Sequence, residues 1–254
     1  MKGARVGALC GRARALLVAT SLLAAALALS ACQTTQELSA QRAKTAKKLV
    51  AEKGLTIGKA NPDVAVGRTA VLQDANGIAA VVELRNKGRG PQARLPVAIS
   101  VVDAHGKALY RNDIAGLEDS LVSMALLDRG QDAFWVNNQI TASGKPARVR
   151  AVVGVGKGRA PARVPSLQIS GVRLSSDSGS VIAKGRIANR SKVAQKRVTI
   201  FCVARRGAKI VAAGRAIVDR VPPAGGKPVP FTVFFIGNPK GARLSFSAPP
   251  TVLE

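Results

Sequence analysis

The sequence predicts an all-β fold of two tandem sandwich units that follow an N-terminal segment of different character. From Val64 onward, apolar and polar residues alternate with a period of two in short runs, which is the pattern of strands with one buried face. Turn residues such as Asn76-Gly77 and Gly106 separate these runs, because glycine accepts the positive φ that tight turns require. The same spacing of core and turn positions then recurs, which indicates two domains of one architecture.

The first unit is predicted to span residues 64–153. Its clearest strands are residues 78–85, 97–102, 134–136 and 149–153. Trp135 lies in one of them and is expected to be a core residue, as in many β-sandwiches. Residues 154–165 are rich in Gly, Pro and basic side chains and lack an apolar pattern, so they are predicted to be a linker.

The second unit is predicted to span residues 166–254 and to repeat the first. Asn86 and Asn189 each close a strand, 103 residues apart. At that offset three inward positions of the first unit align with three of the second: Ala80, Val82 and Leu84 with Ala183, Gly185 and Ile187. Two residues are then predicted to drop out of the following loop. The next strands align at an offset of 101, with Val97, Ile99 and Val101 on Val198, Ile200 and Cys202.

The order of elements in each unit carries a family resemblance. A strand ending in Asn is followed by a short loop, a strongly alternating strand, a turn at Gly, another strand, a Pro/Gly turn and an aromatic strand. This order is similar to that of immunoglobulin-like domains of bacterial envelope proteins, including the type called FxLYD. The resemblance implies two tandem immunoglobulin-like β-sandwiches, each of about seven strands in about 100 residues.

The N-terminal segment has the form of a secretory signal peptide. Basic residues without carboxylates precede an apolar run over residues 15–31, and a cysteine follows at position 32. The run of 17 residues also reaches the lower limit for a membrane span, about 17 residues. An uncleaved N-terminal anchor therefore stays open as an alternative.

Leu29, Ser30, Ala31 and Cys32 resemble the bacterial lipobox. The resemblance implies that residues 1–31 are removed and that Cys32 becomes a lipidated N-terminus, which would hold the protein on a membrane of the bacterial cell envelope. Cys10 would be lost with the signal peptide, leaving Cys202 without a partner for an intramolecular disulfide. Residues 32–63 are then predicted to be a tether. The tether is expected to be helical in part, because it contains many good helix formers, and its helical part is expected to end near Gly54.

The charge is strongly positive and unevenly placed. Without residues 1–31, 35 basic residues face 14 acidic ones, and in residues 166–254 the numbers are 15 and 3. Clustered cations attract phosphate- and carboxylate-rich partners. The candidate anion-binding residues lie on the outward face of one strand and in the loop after it: Lys184, Arg186, Arg190, Lys192, Lys196 and Arg197. A solvated basic face of compositional origin is the alternative.

The residues that usually carry catalysis are scarce. The single histidine, His105, precedes Gly106 and is typical of a polar turn. Cys202 alternates with Val198 and Ile200, which favours a buried packing role. We expect no catalytic residue, no metal site and no cofactor.

These patterns predict a non-enzymatic binding or assembly module, anchored to a membrane by lipid on its extracytoplasmic side. The expected partner is another envelope protein or an anionic surface polymer or lipid. An extracellular protein that binds anionic polymer or DNA is an alternative, although the low aromatic content makes nucleic acid the less favoured partner. An enzyme with an unrecognised site is the other alternative.

Overall fold

The structure is a computed structural model that describes residues 54–159, 161, 163–177 and 180–252. The all-β prediction is confirmed, because these residues form thirteen strands and one short 3-10 helix at Asp119–Leu121. The predicted signal peptide, the lipobox residues 29–32 and most of the tether lie outside the described residues. The described end of the tether, residues 54–63, is not helical and forms a bridge between Ala60 and Gly154.

The first unit contains seven strands, and all four of its predicted strands are confirmed within β2, β3, β6 and β7. The strands are β1 Val64–Asp74, β2 Gly77–Asn86, β3 Gln92–Val102, β4 Ala108–Arg111, β5 Ser123–Leu127, β6 Asp132–Ile140 and β7 Arg148–Val153. One sheet has the order β1-β2-β6, and in the other β3 pairs with β4, β5 and β7. All of these pairings are antiparallel.

The second unit contains six strands in one continuous sheet. The strands are β8 Leu167–Asp177, β9 Ser180–Asn189, β10 Gln195–Arg206, β11 Lys209–Val221, β12 Val229–Gly237 and β13 Arg243–Ser247. Their order is β13-β10-β11-β12-β9-β8. The pairing of β11 with β12, from Ala212↔Gly237 to Arg215↔Phe234, makes the sheet continuous.

Two residues, Gly214 and Asn112, explain why the units differ in this respect. A Cβ on Gly214 of β11 would lie 2.1 Å from the carbonyl oxygen of Phe234, so only glycine lets β11 approach β12 this closely. In the first unit the corresponding chain is interrupted between β4 and β5. There the buried Asn112 donates to the carbonyls of Val97 and Leu121, both at 2.8 Å, and replaces strand pairing with side-chain hydrogen bonds.

The first hairpins of the two units are alike in length and register. β1 and β8 have 11 residues each, and β2 and β9 have 10. A bulge interrupts the register between Val66 and Thr69 in one hairpin and between Ser170 and Arg173 in the other. The asparagines that close these hairpins also act alike. Their side-chain amides donate to the carbonyl four residues later, at 2.9 Å for Asn86 and 2.6 Å for Asn189.

The structure corrects the predicted position of the two-residue gap. The Oδ1 atoms of Asn86 and Asn189 accept hydrogen bonds from the amides of Gly88 and Ser191, so both loops have the same conformation and length. The offset of 103 continues to Arg94 and Arg197, which share a φ of 49°. The two additional residues of the first unit therefore lie after Arg94, and the prediction that they lie in the preceding loop was wrong.

Several strands are buried on both faces because the two units pack against each other. Ala80, Val82 and Leu84 face the core of the first unit as predicted. The intervening Ala79 and Val81 are equally buried, and their hydrophobic cluster continues into the second unit through five side chains: Phe201, Val203, Ile210, Ala213 and Ile236. As a result, the residues from 54 onward form one compact body that includes both units.

Polar contacts reinforce this packing. Arg205 of β10 forms an ion pair of 2.5 Å with Glu83 of β2, and its guanidinium lies 4.7 Å from the ring centroid of Phe134. The amide of Gly237 donates to the carboxylate of Asp74 at 2.7 Å. Because these contacts join strands of different units, they fix the arrangement of the two halves.

Candidate anion-binding site

The six candidate basic residues are all exposed, and the strand order divides them among three places. Lys184 and Arg186 lie on β9. Arg190 and Lys192 lie in the loop that follows, where Arg190 Nε donates to Gln168 at 2.9 Å. Lys196 and Arg197 lie at the start of β10, and β12 and β11 separate that strand from β9 in the sheet. The candidates thus supply two distinct surfaces connected by one loop.

The first surface, which we call the β9 face, consists of Arg173, Lys184, Arg186 and Phe234. Lys184 is directly opposite Arg173 of β8, while Phe234 of β12 lies opposite Ile182 and is 54% exposed. No salt bridge among the described residues involves its three cations. Like charges directly opposite each other destabilise a sheet, so an anion bound here would remove a repulsion that the fold itself leaves in place.

The second surface is a cleft of about 870 Å³ between the two units, which we call the inter-unit cleft. Its basic lining residues are Arg94, Lys157, Arg159, Lys196 and Arg197. The amide of Lys157 donates to the carbonyl of Arg94 at 3.2 Å. The predicted linker therefore packs along β3 at this point and brings its basic residues to the cleft.

Glu118 is one of two acidic residues in the cleft, with Asp119, and two arginines share it. Its carboxylate forms ion pairs of 2.6 Å with Arg197 and 3.2 Å with Arg215. The Arg215 side chain is only 3% exposed and also donates to Ser120 Oγ. Burial lowers the pKa of Arg215, and the charge of Glu118 acts in the opposite direction. The charge of Glu118 is thus already paired with two arginines. The other basic lining residues have no ion pair among the described residues: Arg94, Lys157, Arg159 and Lys196.

Arg94 and Arg197 also share an uncommon backbone conformation. In the described part of the chain they are the non-glycine residues with positive φ, both at 49°. The left-handed region is unfavourable for residues with a Cβ, at a cost of about 1 kcal/mol or more. Both strained residues contribute to the same cleft.

Sequence reasoning found Lys196 and Arg197 but missed Arg94, Lys157 and Arg159. The signal for Arg94 was the shared Gln-x-Arg pattern at residues 92–94 and 195–197, which the assumed gap in the preceding loop concealed. Lys157 and Arg159 lie in the basic segment 154–165, which was interpreted only as a linker. Nothing in the local sequence shows that the two units place these positions around one cleft.

The structure also gives the surroundings of Cys202 and His105. Cys202 is fully buried, and burial raises the pKa of its thiol, so the reactive thiolate form is disfavoured. His105 lies in the exposed turn before Gly106, where Asp103 accepts hydrogen bonds from the amides of His105 and Lys107. Both sequence interpretations are confirmed. No group of potential metal ligands occurs among the residues that the structure describes.

Comparisons of the chain with protein families, curated proteins and solved structures find no match. Within the described residues, no helix is long and apolar enough to cross a membrane.

Proposed function

We propose that this protein is an exported lipoprotein of the bacterial cell envelope, in which two tandem immunoglobulin-like domains bind an anionic envelope component without catalysing a reaction. The observation that carries the proposal is the β9 face, where three cations without ion pairs adjoin an exposed phenylalanine. Phosphate groups of lipids or surface polymers are the ligand chemistry that such cations attract.

The proposed anchor rests on the N-terminal sequence. A basic start, the apolar residues 15–31 and the residues Leu29 to Cys32 together support export followed by lipidation. More than one acyl chain is needed for stable attachment to a membrane, and the lipobox resemblance implies two or three chains on Cys32.

The anchor can be tested with Cys32→Ala. We expect mass spectrometry of the variant to show no added acyl mass and retention of residues 1–31, because the thiol that accepts the lipid is missing. Cys10→Ala is the matched control and should be processed and lipidated like the wild type. A wild-type product with an intact methionine start and no acyl mass would contradict the proposal and favour the uncleaved anchor.

The composition of the β9 face supports a membrane surface as its target. Each basic residue near an anionic bilayer contributes about 1 kcal/mol of attraction. An exposed aromatic ring beside such charges can enter the interface between headgroups and acyl chains. Thr232 of β12 is opposite Lys184, and Phe234 is two residues further along the same strand. Because alternate residues of a strand point to the same side, the ring and the cations are on the same face of the sheet.

The binding role can be tested on the chain that begins at Gln33, since the lipid would itself hold the protein on vesicles. Replacing Arg173, Lys184 and Arg186 with Gln should weaken binding to phosphatidylglycerol vesicles by about a hundredfold. This value follows because each basic residue contributes about 1 kcal/mol of attraction. The matched control neutralises three exposed cations of the first unit: Lys145, Arg148 and Arg150.

The two variants lose the same net charge, so equal weakening would show that total charge matters and would refute the β9 face as the site. Phe234→Ala separates the possible targets. Loss of vesicle binding with retained binding to a soluble phosphate polymer would identify the lipid surface, whereas unchanged binding to both would identify the polymer.

A further inference from the structure

We propose that the inter-unit cleft is a second, separate site, which binds a small phosphate-bearing ligand with an apolar part. The cleft differs from the β9 face in shape and in origin. It is a concave space of about 870 Å³, within the range of about 300–1,000 Å³ typical of small-molecule sites. Its walls come from both units, so neither half could form it alone.

The charge of the cleft defines the ligand class. Arg94, Lys157, Arg159 and Lys196 have no ion pair among the described residues, while Glu118 is already shared by Arg197 and Arg215. Even with the exposed Asp119 in the lining, a ligand with a single carboxylate would leave most of this positive charge uncompensated. A phosphate monoester carries a charge of about −1.5 to −2 and three acceptor oxygens, and it can accept hydrogen bonds from several arginine and lysine side chains at once.

The other lining residues define the rest of the ligand. Leu55, Pro96, Val122 and Pro249 give the cleft an apolar part of its lining, to which Phe201, 1% exposed, also belongs. An apolar wall adds affinity for a ligand part that can leave water. We therefore expect an organic phosphate to bind more tightly than an inorganic one.

The backbone of Arg94 supports a binding role for its side chain. A glycine would adopt the φ of 49° without strain, yet an arginine is found here in each unit, and both arginines line this cleft. Unfavourable backbone conformations concentrate at ligand sites because the surrounding structure holds them for function. The same feature supplies a variant, Arg94→Gly, that removes the charge and keeps the backbone conformation.

The experiment is a calorimetric titration of the chain that begins at Gln33 with two probes, inorganic phosphate and monomeric dihexanoyl phosphatidic acid. The variant combines Arg94→Gly, Lys157→Gln and Lys196→Gln. Each substitution removes charge-assisted hydrogen bonds, and loss of one such bond weakens binding by about tenfold or more. We expect wild-type binding of the lipid probe to be tighter than that of inorganic phosphate, and binding of both to be lost in the triple variant.

The matched control neutralises three cations of the β9 face, Arg173, Lys184 and Arg186, and should bind both soluble probes like the wild type. Binding of the phosphatidic acid alone, lost in the triple variant, would support the site and identify a lipid as its source of phosphate. Binding of inorganic phosphate that is as tight as that of the phosphatidic acid, or tighter, would refute the apolar part and with it the proposed ligand class. The proposal would be overturned if neither probe binds, or if the wild type and the triple variant bind the probes equally.

Discussion

Replacing Glu118 with Ala is expected to lower the free energy of unfolding by about 3–5 kcal/mol, the usual cost of leaving a buried charge without its partner. The substitution removes the carboxylate that Arg215 contacts at 3.2 Å, and the Arg215 side chain is 3% exposed. Its Nε atom already has no hydrogen-bond partner among the described residues. Equilibrium unfolding in urea would measure the loss.

Two further variants test whether the cost of Glu118→Ala comes from the buried charge of Arg215 or from the loss of an ion pair in general. Asp113→Ala breaks the pair of Arg111 with Asp113, whose side chains are 64% and 38% exposed, and should cost no more than about 1 kcal/mol. Arg215→Met removes the buried charge itself and should cost less than Glu118→Ala, since Glu118 keeps Arg197 and the methionine fills the space. A cost for Glu118→Ala that equals that of Asp113→Ala would contradict this account.

The alternation of apolar residues was sufficient to predict the strands, but it did not predict that β2 and β10 are buried on both faces. Within β2 and β10, the inward positions Ala80, Val82, Ile200 and Cys202 were identified correctly because their period of two is clear. The residues between them are also apolar, as the runs at 78–82 and 200–204 show. Continuous apolar runs of this kind indicate strands covered on both faces. That signal could have predicted the packing of the two units.

The candidate site was less accessible from sequence because it depends on contacts between distant residues. Glu118 and Arg215 are 97 residues apart, and no local pattern connects them. The positive charge of the second unit did point to Lys196 and Arg197, which line the cleft. Whether a basic residue is neutralised depends on its neighbours in space, as Arg197 and Lys196 illustrate. These adjacent residues line the same cleft, yet only Arg197 has an acidic partner there.

The arrangement of the two halves has a thermodynamic consequence that a pair of independent domains would not show. Phe201 and Val203 point out of the core of the second unit and belong to the hydrophobic cluster of the first. Ile200 and Cys202, on the other face of the same strand, pack within the second unit. Because the shared cluster couples the units, we expect residues from 54 onward to unfold in one cooperative transition.

Replacing Phe201 with Ala is expected to lower the free energy of unfolding by about 3–5 kcal/mol and to uncouple the units. The large side chain is 1% exposed and lies between the two halves, so its removal weakens the contact that makes unfolding cooperative. Differential scanning calorimetry should then show two transitions, with a calorimetric enthalpy larger than the van't Hoff enthalpy.

Ile200→Ala provides the matched control on the adjacent residue. It creates a cavity inside the second unit, at a cost of about 2–5 kcal/mol, but leaves the contact between the units in place. We therefore expect it to lower the melting temperature while the single transition persists. If Phe201→Ala also unfolds in one transition at an unchanged temperature, the shared cluster does not couple the units, and the cleft between them would lack the fixed geometry that a specific ligand requires.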